Sequence, residues 1–194
     1  SAVYNVDTIA ESIIKLLPYK AWRDEHLVIT GGEPLLGWQR AYPELLDHPL
    51  MVNLKEVTFE TNGTQELHED FRDFLIDWAD DNREVTFSVS AKLSASGESW
   101  EDAIKPRIVN IYQTYGHVYL KFVVETEEHI TEAVKAADEF RAGGFTGVIY
   151  LMPQGGVVQP YEANKLRIAD ICCERGWYYS PRLHVDIWGN GWGK

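Results

Sequence analysis

Apolar positions recur along this chain with two alternating periods. Val6, Ile9, Ile13, Leu16 and Leu17 fall three or four residues apart. That repeat lines one face of a helix, so residues 6–17 are predicted helical, with Asn5 or Asp7 as cap and Pro18 as stop. Residues 27–30 form a short apolar run of strand type. The helical pattern returns over 38–47, where Pro43 confines the start to about Tyr42. Residues 57–60 read as the next strand, followed by Asn62-Gly63, a turn pair. Phe71, Phe74, Leu75 and Trp78 give 67–79 a helical face. A strand at 85–89, a helix at 106–115 and a strand at 119–124 follow. A helix at 127–141 is closed by Gly143-Gly144, and a strand at 148–152 precedes a helix at 161–175. Residues 177–179 and 183–187 read as extended, and the serine- and glycine-rich stretch 94–99 as the mobile loop.

Strand and helix therefore alternate throughout, and the strands read as apolar on both faces. This predicts an α/β fold of βαβ units, a mainly parallel sheet covered by helices, in a single domain over 1–194. In such folds ligands sit at the carboxyl ends of the strands. Those ends read Thr30-Gly31-Gly32-Glu33-Pro34, Glu60-Thr61-Asn62-Gly63-Thr64, Ser88-Val89-Ser90-Ala91-Lys92 and Met152-Pro153-Gln154-Gly155-Gly156. One such edge is a turn. Four on one rim point to a binding site.

Composition narrows the ligand classes. The net charge of −12 disfavours a nucleic-acid binder that works by neutralising phosphates. No apolar run approaches the roughly 20 residues of a membrane span, and the first residues lack the pattern of a signal peptide. The two cysteines, Cys172 and Cys173, are adjacent. Helical neighbours point about 100° apart, so no disulfide is expected and a reducing cytoplasm is the expected setting.

The rim residues suggest specific roles. Gly31 and Gly32 leave the backbone bare for a ligand, Glu33 can accept from an ammonium group, and Pro34 fixes the exit direction. Glu60 and Asn62 share a face of extended chain and can hold ribose hydroxyls or an amino-acid group. Ser90 and Lys92 alternate likewise, and Lys92 can anchor a carboxylate. Taken singly, each of these is equally an ordinary turn or strand end. His184 and Asp186 can be read as a metal pair, a structural histidine or a substrate contact. The glycine- and tryptophan-rich residues 188–193 can be read as a flexible end or as a flap over a flat ligand.

Six blocks in order carry a resemblance: VITGGEPLL at 28–36, FETNGT at 59–64, SVSAKLS at 88–94, KFVV at 121–124, LMPQG at 151–155 and RLHVDIWGN at 182–190. The sequence resembles the 7-carboxy-7-deazaguanine synthases of the radical S-adenosylmethionine superfamily. The resemblance implies a partial (β/α) barrel with S-adenosylmethionine across the strand ends. Its methionine amine would lie near Gly31, Gly32 and Glu33, and other parts would meet Glu60, Asn62, Ser90, Ala91 and Lys92. Met152, Pro153, Gln154 and Gly155 would cradle the adenine. Thr30 and His184 match positions that touch a pterin substrate. The implied reaction is a radical ring contraction of 6-carboxy-5,6,7,8-tetrahydropterin with loss of ammonia, leading to queuosine and tRNA modification. A [4Fe–4S] cluster, Mg2+, a flavodoxin-type electron donor and a homodimer are implied with it.

The family's CxxxCxxC motif has no counterpart in these residues. The expectation is an N-terminally truncated copy lacking the first strand and cluster loop. No cluster or magnesium ligand, no catalytic residue and no turnover are expected of the chain as written, and one sheet edge is expected to be unpaired. Two alternatives stand beside it. One is a non-catalytic protein that keeps the S-adenosylmethionine or nucleotide pocket; the other is a small barrel hydrolase using Glu33 and Glu60.

Overall fold

A computed structural model describes residues 5–80, 82–155 and 158–189. Its elements alternate as the periodicity predicts: α1 (Val6–Leu16), β1 (Leu27–Ile29), α2 (Tyr42–Leu46), β2 (Glu56–Thr61), α3 (Glu69–Asp80), β3 (Glu84–Val89), α4 (Trp100–Ala103), α5 (Pro106–Tyr112), β4 (His117–Val124), α6 (Glu127–Ala142), β5 (Ile149–Pro153), α7 (Val158–Arg175), β6 (Tyr178–Tyr179) and α8 (Leu183–Trp188). The six strands form one all-parallel sheet in the order β1-β2-β3-β4-β5-β6. The sheet does not close, so the architecture is a partial (β/α) barrel.

Local chemistry sets the element ends. The Asn5 side chain accepts from the Thr8 backbone N–H at 2.9 Å and caps α1. Leu17 is extended at φ −69°, ψ 140°, as a residue before proline must be, and α1 stops there. Thr126 caps α6 through the His129 N–H, and Phe145 N–H closes its far end onto the Phe140 carbonyl.

Two findings correct the sequence reading of the sheet. Only one face of the strands is uniformly apolar and buried; the other is mixed. Val57 and Phe59, Val85 and Phe87, Val118, Leu120 and Phe122, and Ile149 and Leu151 are buried on the face that the helices cover. There Phe59 meets Phe71 at 5.8 Å, and Phe87 stacks on Tyr112 at 4.7 Å. The opposite face carries Thr58, Glu60, Thr86, Ser88, Tyr119, Lys121, Tyr150 and Met152, mostly half-buried. An open barrel has helices on its outside only, so half of each strand faces a polar interior instead of a second helical layer. In addition, residues 183–187 are helical, within α8, where alternating apolar residues predicted extended chain. Within the stretch 94–99, Ser94 donates its backbone N–H to Glu132 at 3.1 Å and residues 94–96 form a 3-10 turn.

Candidate functional site

The strand ends converge as expected. A cleft of about 490 Å3 is lined by Thr30, Gly32, Glu33, Glu60, Thr61, Asn62, Ser90, Lys92 and Met152, together with Glu98, Lys121, Val123 and Arg182. Two smaller hollows adjoin it. One of about 400 Å3 shares Thr30, Gly32 and Glu33 and adds Gly31, Pro34, Trp38 and Tyr42. The other, of about 210 Å3, shares Ser90, Lys92 and Val123 and adds Ala91 and Gln154. Shared walls make the three a continuous trough along the rim.

The turn after β1 is built around Glu33. Gly31 and Gly32 have φ of 91° and 39°, a backbone region that glycine enters without strain. A Cβ on either would meet nothing within 4 Å, so the requirement lies in the backbone and the main chain is open to a ligand. Glu33 Oε1 accepts from Thr61 Oγ1 at 2.7 Å and from the Leu35 N–H at 3.1 Å, while Oε2 accepts from the Asn62 N–H at 2.7 Å. A carboxylate offers about four acceptor positions, so roughly one, on Oε2, is left for a ligand. Glu33 thus ties the β1 turn to the β2 turn.

Gln39, which is buried, makes the same tie. Its Nε2 donates to the Leu35 and Glu66 carbonyls, both at 2.9 Å, and its Oε1 accepts from the His68 N–H at 2.7 Å. Tyr42 donates to the Pro34 carbonyl at 2.6 Å. Burial, with the Glu33 charge as second cause, pushes the Tyr42 phenol up to about 12. The same two causes raise Tyr112, whose hydroxyl donates to the Gln65 carbonyl.

Glu60 is held from two sides. Thr30 Oγ1 donates to its Oε2 at 3.0 Å, and Lys121 Nζ lies 3.4 Å from its Oε1. Asn62 spends Oδ1 on the Thr64 N–H and hydroxyl, at 3.0 and 2.7 Å. Its side-chain NH2 stays available at the cleft.

The remaining predicted positions divide. Pro153 and Gly155 line none of the three hollows; Pro153 accepts from Arg182 Nε at 3.0 Å, and Gly155 is buried against Tyr161. His184 is exposed on α8 and lines none of them. In a helix, residues two apart point roughly 200° apart, so His184 and Asp186 do not share a face. Asp186 is occupied otherwise: Lys165 bonds it, and Tyr161 donates to it at 3.0 Å. The Lys165 hydrogen bond holds the Asp186 carboxyl below its ordinary value.

Of residues 188–193, read above as a possible flap, 190–193 lie outside the described residues. Lys121, Glu98 and Arg182 are cleft residues that the sequence reading did not single out. Lys121 had a signal, a lone cation inside an apolar strand. Glu98 comes from an irregular loop and had none.

Among the described residues, no group of three or more His, Cys, Asp or Glu side chains is placed to hold a metal. Cys172 is buried and directs its thiol to the Tyr178 carbonyl at 3.3 Å, at the amino end of β6, opposite the rim. Cys173 is exposed beside it. This pair does not fit an iron–sulfur cluster at the cleft, where several thiolates must converge. No described helix is long and apolar enough to cross a membrane.

Comparison with known proteins gives the family. The chain is 32% identical to a 7-carboxy-7-deazaguanine synthase of Pyrobaculum aerophilum over 173 residues, covering 87% of this chain and 68% of that protein. It belongs to the 7-carboxy-7-deazaguanine synthase family. The synthase of Halobacterium salinarum is 31% identical over 178 residues, covering 86% of this chain and 66% of the relative. That of Rhodopirellula baltica is 25% identical over 206 residues, covering 89% and 72%. The chain thus spans about two thirds of the length of these curated relatives. No family model matches it, and no solved structure does.

Proposed function

We propose that the strand-end trough binds S-adenosylmethionine, and that the chain serves a 7-carboxy-7-deazaguanine synthase. The reaction is the ring contraction of 6-carboxy-5,6,7,8-tetrahydropterin with loss of ammonia, a carbon–nitrogen lyase step toward queuosine and related 7-deazapurines. The observation that carries the proposal is the Glu33 seat. One acceptor position remains on a carboxylate fixed by three protein hydrogen bonds, beside the bare backbone of Gly31 and Gly32. An ammonium group needs such an acceptor.

The trough's charges also suit this ligand. Lys92, Lys121 and Arg182 stand with Glu33, Glu60 and Glu98 around one cleft, and both signs are wanted by a ligand that carries cations and a carboxylate. In this proposal Gly31, Gly32 and Glu33 hold the methionine amine, and Lys92 with Ser90 and Ala91 meets the carboxylate end. Glu60 and Asn62 accept from and donate to the ribose. Met152 and Gln154, which line the trough, form the adenine side with Pro153 and Gly155 behind them, and Thr30 and His184 touch the pterin, His184 from outside the three hollows. When bound, S-adenosylmethionine supplies hydrogen-atom abstraction; the residues here bind and orient it. The cluster, Mg2+, a flavodoxin-type donor, a homodimer and a cytoplasmic setting belong to the same proposal. Cys172 and Cys173 do not fit the cluster.

That misfit favours a second reading, a protein that binds S-adenosylmethionine without turning it over. Isothermal titration calorimetry of the chain with S-adenosylmethionine tests what the two share: saturable one-to-one binding is expected, lost in Glu33→Gln. Absence of binding at millimolar ligand would overturn both. Formation of 5′-deoxyadenosine under reducing conditions, measured on the chain joined to a CxxxCxxC segment with its cluster reconstituted, then separates them.

A further inference from the structure

Glu60 and Lys121 belong to strands that are not neighbours. Glu60 is on β2 and Lys121 on β4, with β3 between. Glu60 pairs in register with Ser88, and Ser88 with Tyr119, two residues before Lys121 on the same face. Adjacent strands lie about 4.8 Å apart, so the two backbones are separated by roughly 10 Å. The 3.4 Å approach of Lys121 Nζ to Glu60 Oε1 therefore crosses above β3. The residues of β3 and its exit on that face are Ser88 and Ser90, small enough to pass beneath. Ser88 is fully buried, and its hydroxyl has no protein partner, as fits a side chain roofed by the ion pair.

This strap is a poor stabilising device. The side chains of Lys121 and Glu60 are 18% and 40% exposed, and for such pairs desolvation offsets much of the attraction. It is a good orienting device. With Oε1 turned to Lys121 and Oε2 to Thr30, the Glu60 carboxylate cannot rotate toward Lys92 or Arg182, the other cations of the cleft. Each oxygen keeps an acceptor position for the ligand.

Resting on the reading of the trough as an S-adenosylmethionine site, we propose that Lys121 is a positioning residue. It reaches across β3 and acts on the ligand through Glu60, fixing that carboxylate to accept from the ligand's hydroxyl groups.

The test is a double-mutant cycle read by calorimetric titration with S-adenosylmethionine. Lys121→Met is expected to weaken binding roughly tenfold, as loss of one charge-assisted hydrogen bond does. In a Glu60→Gln background the same change is expected to do nothing further, and Lys121→Arg is expected to restore most of the loss. Thermal midpoints of all variants check folding, and Lys121→Gln replaces Lys121→Met if the latter does not fold. A merely structural Lys121 would lower the midpoint without coupling to Glu60. Additive losses, or no loss in Lys121→Met, would overturn the inference and leave the reading of the trough intact. No binding by the unaltered chain would overturn both.

Discussion

The two faces of the same six strands differ in what they ask of their residues. On the helix-covered face, Phe59, Phe87, Leu120, Phe122 and Leu151 are fully buried in one apolar core, with ring contacts at Phe59 and Phe87. On the open face, one residue along, Glu60, Lys121 and Met152 line the cleft, Glu60 and Lys121 pair, and Ser88 lies buried beneath them. Because strand side chains alternate, a single segment such as Glu56–Thr61 serves stability with one set of positions and binding with the other. The two roles are therefore separable by mutation, except at Glu33 and Thr61, where the faces meet.

The largest effect should come from the covered face. Phe87 is stacked between Phe59 and Tyr112, so Phe87→Ala should cost about 3–5 kcal/mol of unfolding free energy in a urea titration. A loss below about 1 kcal/mol would mean that this face is not the core. Next, Glu33→Gln probes the junction. It replaces one acceptor by an NH2 group facing N–H and O–H donors, so it should cost about 1–3 kcal/mol and also abolish ligand binding. If stability fell while binding held, the seat would be structural only. On the open face, Lys92→Met should leave stability within about 0.5 kcal/mol and weaken S-adenosylmethionine binding, as denaturation and calorimetry on one sample would show.

A separate effect is expected in alkali. Burial raises the phenol of Tyr42 from its ordinary 10 to about 12, and that of Tyr179 likewise to about 12. The folded state thus holds these protons more tightly than the unfolded state. The associated stability is complete below pH 10 and is lost as the pH rises from about 10 through 12. Tyr42→Phe should flatten part of that decline in stability measured between pH 9 and 12, and an unchanged slope would contradict the assignment.

Much of the frame was legible in the chain. The GGEP turn, the Asn-Gly turn and the proline-bounded helices have local causes, and local causes are visible in sequence. The one-sided polarity of the strands was visible too, as the alternation in EVTFET, but short apolar runs masked it. The helix over residues 183–188 was not legible. Its Leu-His-Val-Asp-Ile alternation favours strand, and tertiary contacts override it: the Arg182 N–H bonds the Tyr161 hydroxyl at 2.8 Å, and Asp186 is tied to Tyr161 and Lys165. The place of Lys121 was half legible. Its position as a lone cation inside an apolar strand is in the sequence, but its reach to Glu60 depends on strand order, which no single segment encodes.

The central claim, that the open-face rim of this sheet is a seat for S-adenosylmethionine, is tested most directly by mapping backbone amide shifts in 1H–15N NMR spectra during titration with that compound. Saturable shifts are expected at Gly31, Gly32, Asn62, Ser90, Lys92 and Met152, with Phe59, Phe87 and Leu120 on the covered face moving less. Saturable shifts centred away from the rim, or none at millimolar ligand, would contradict it.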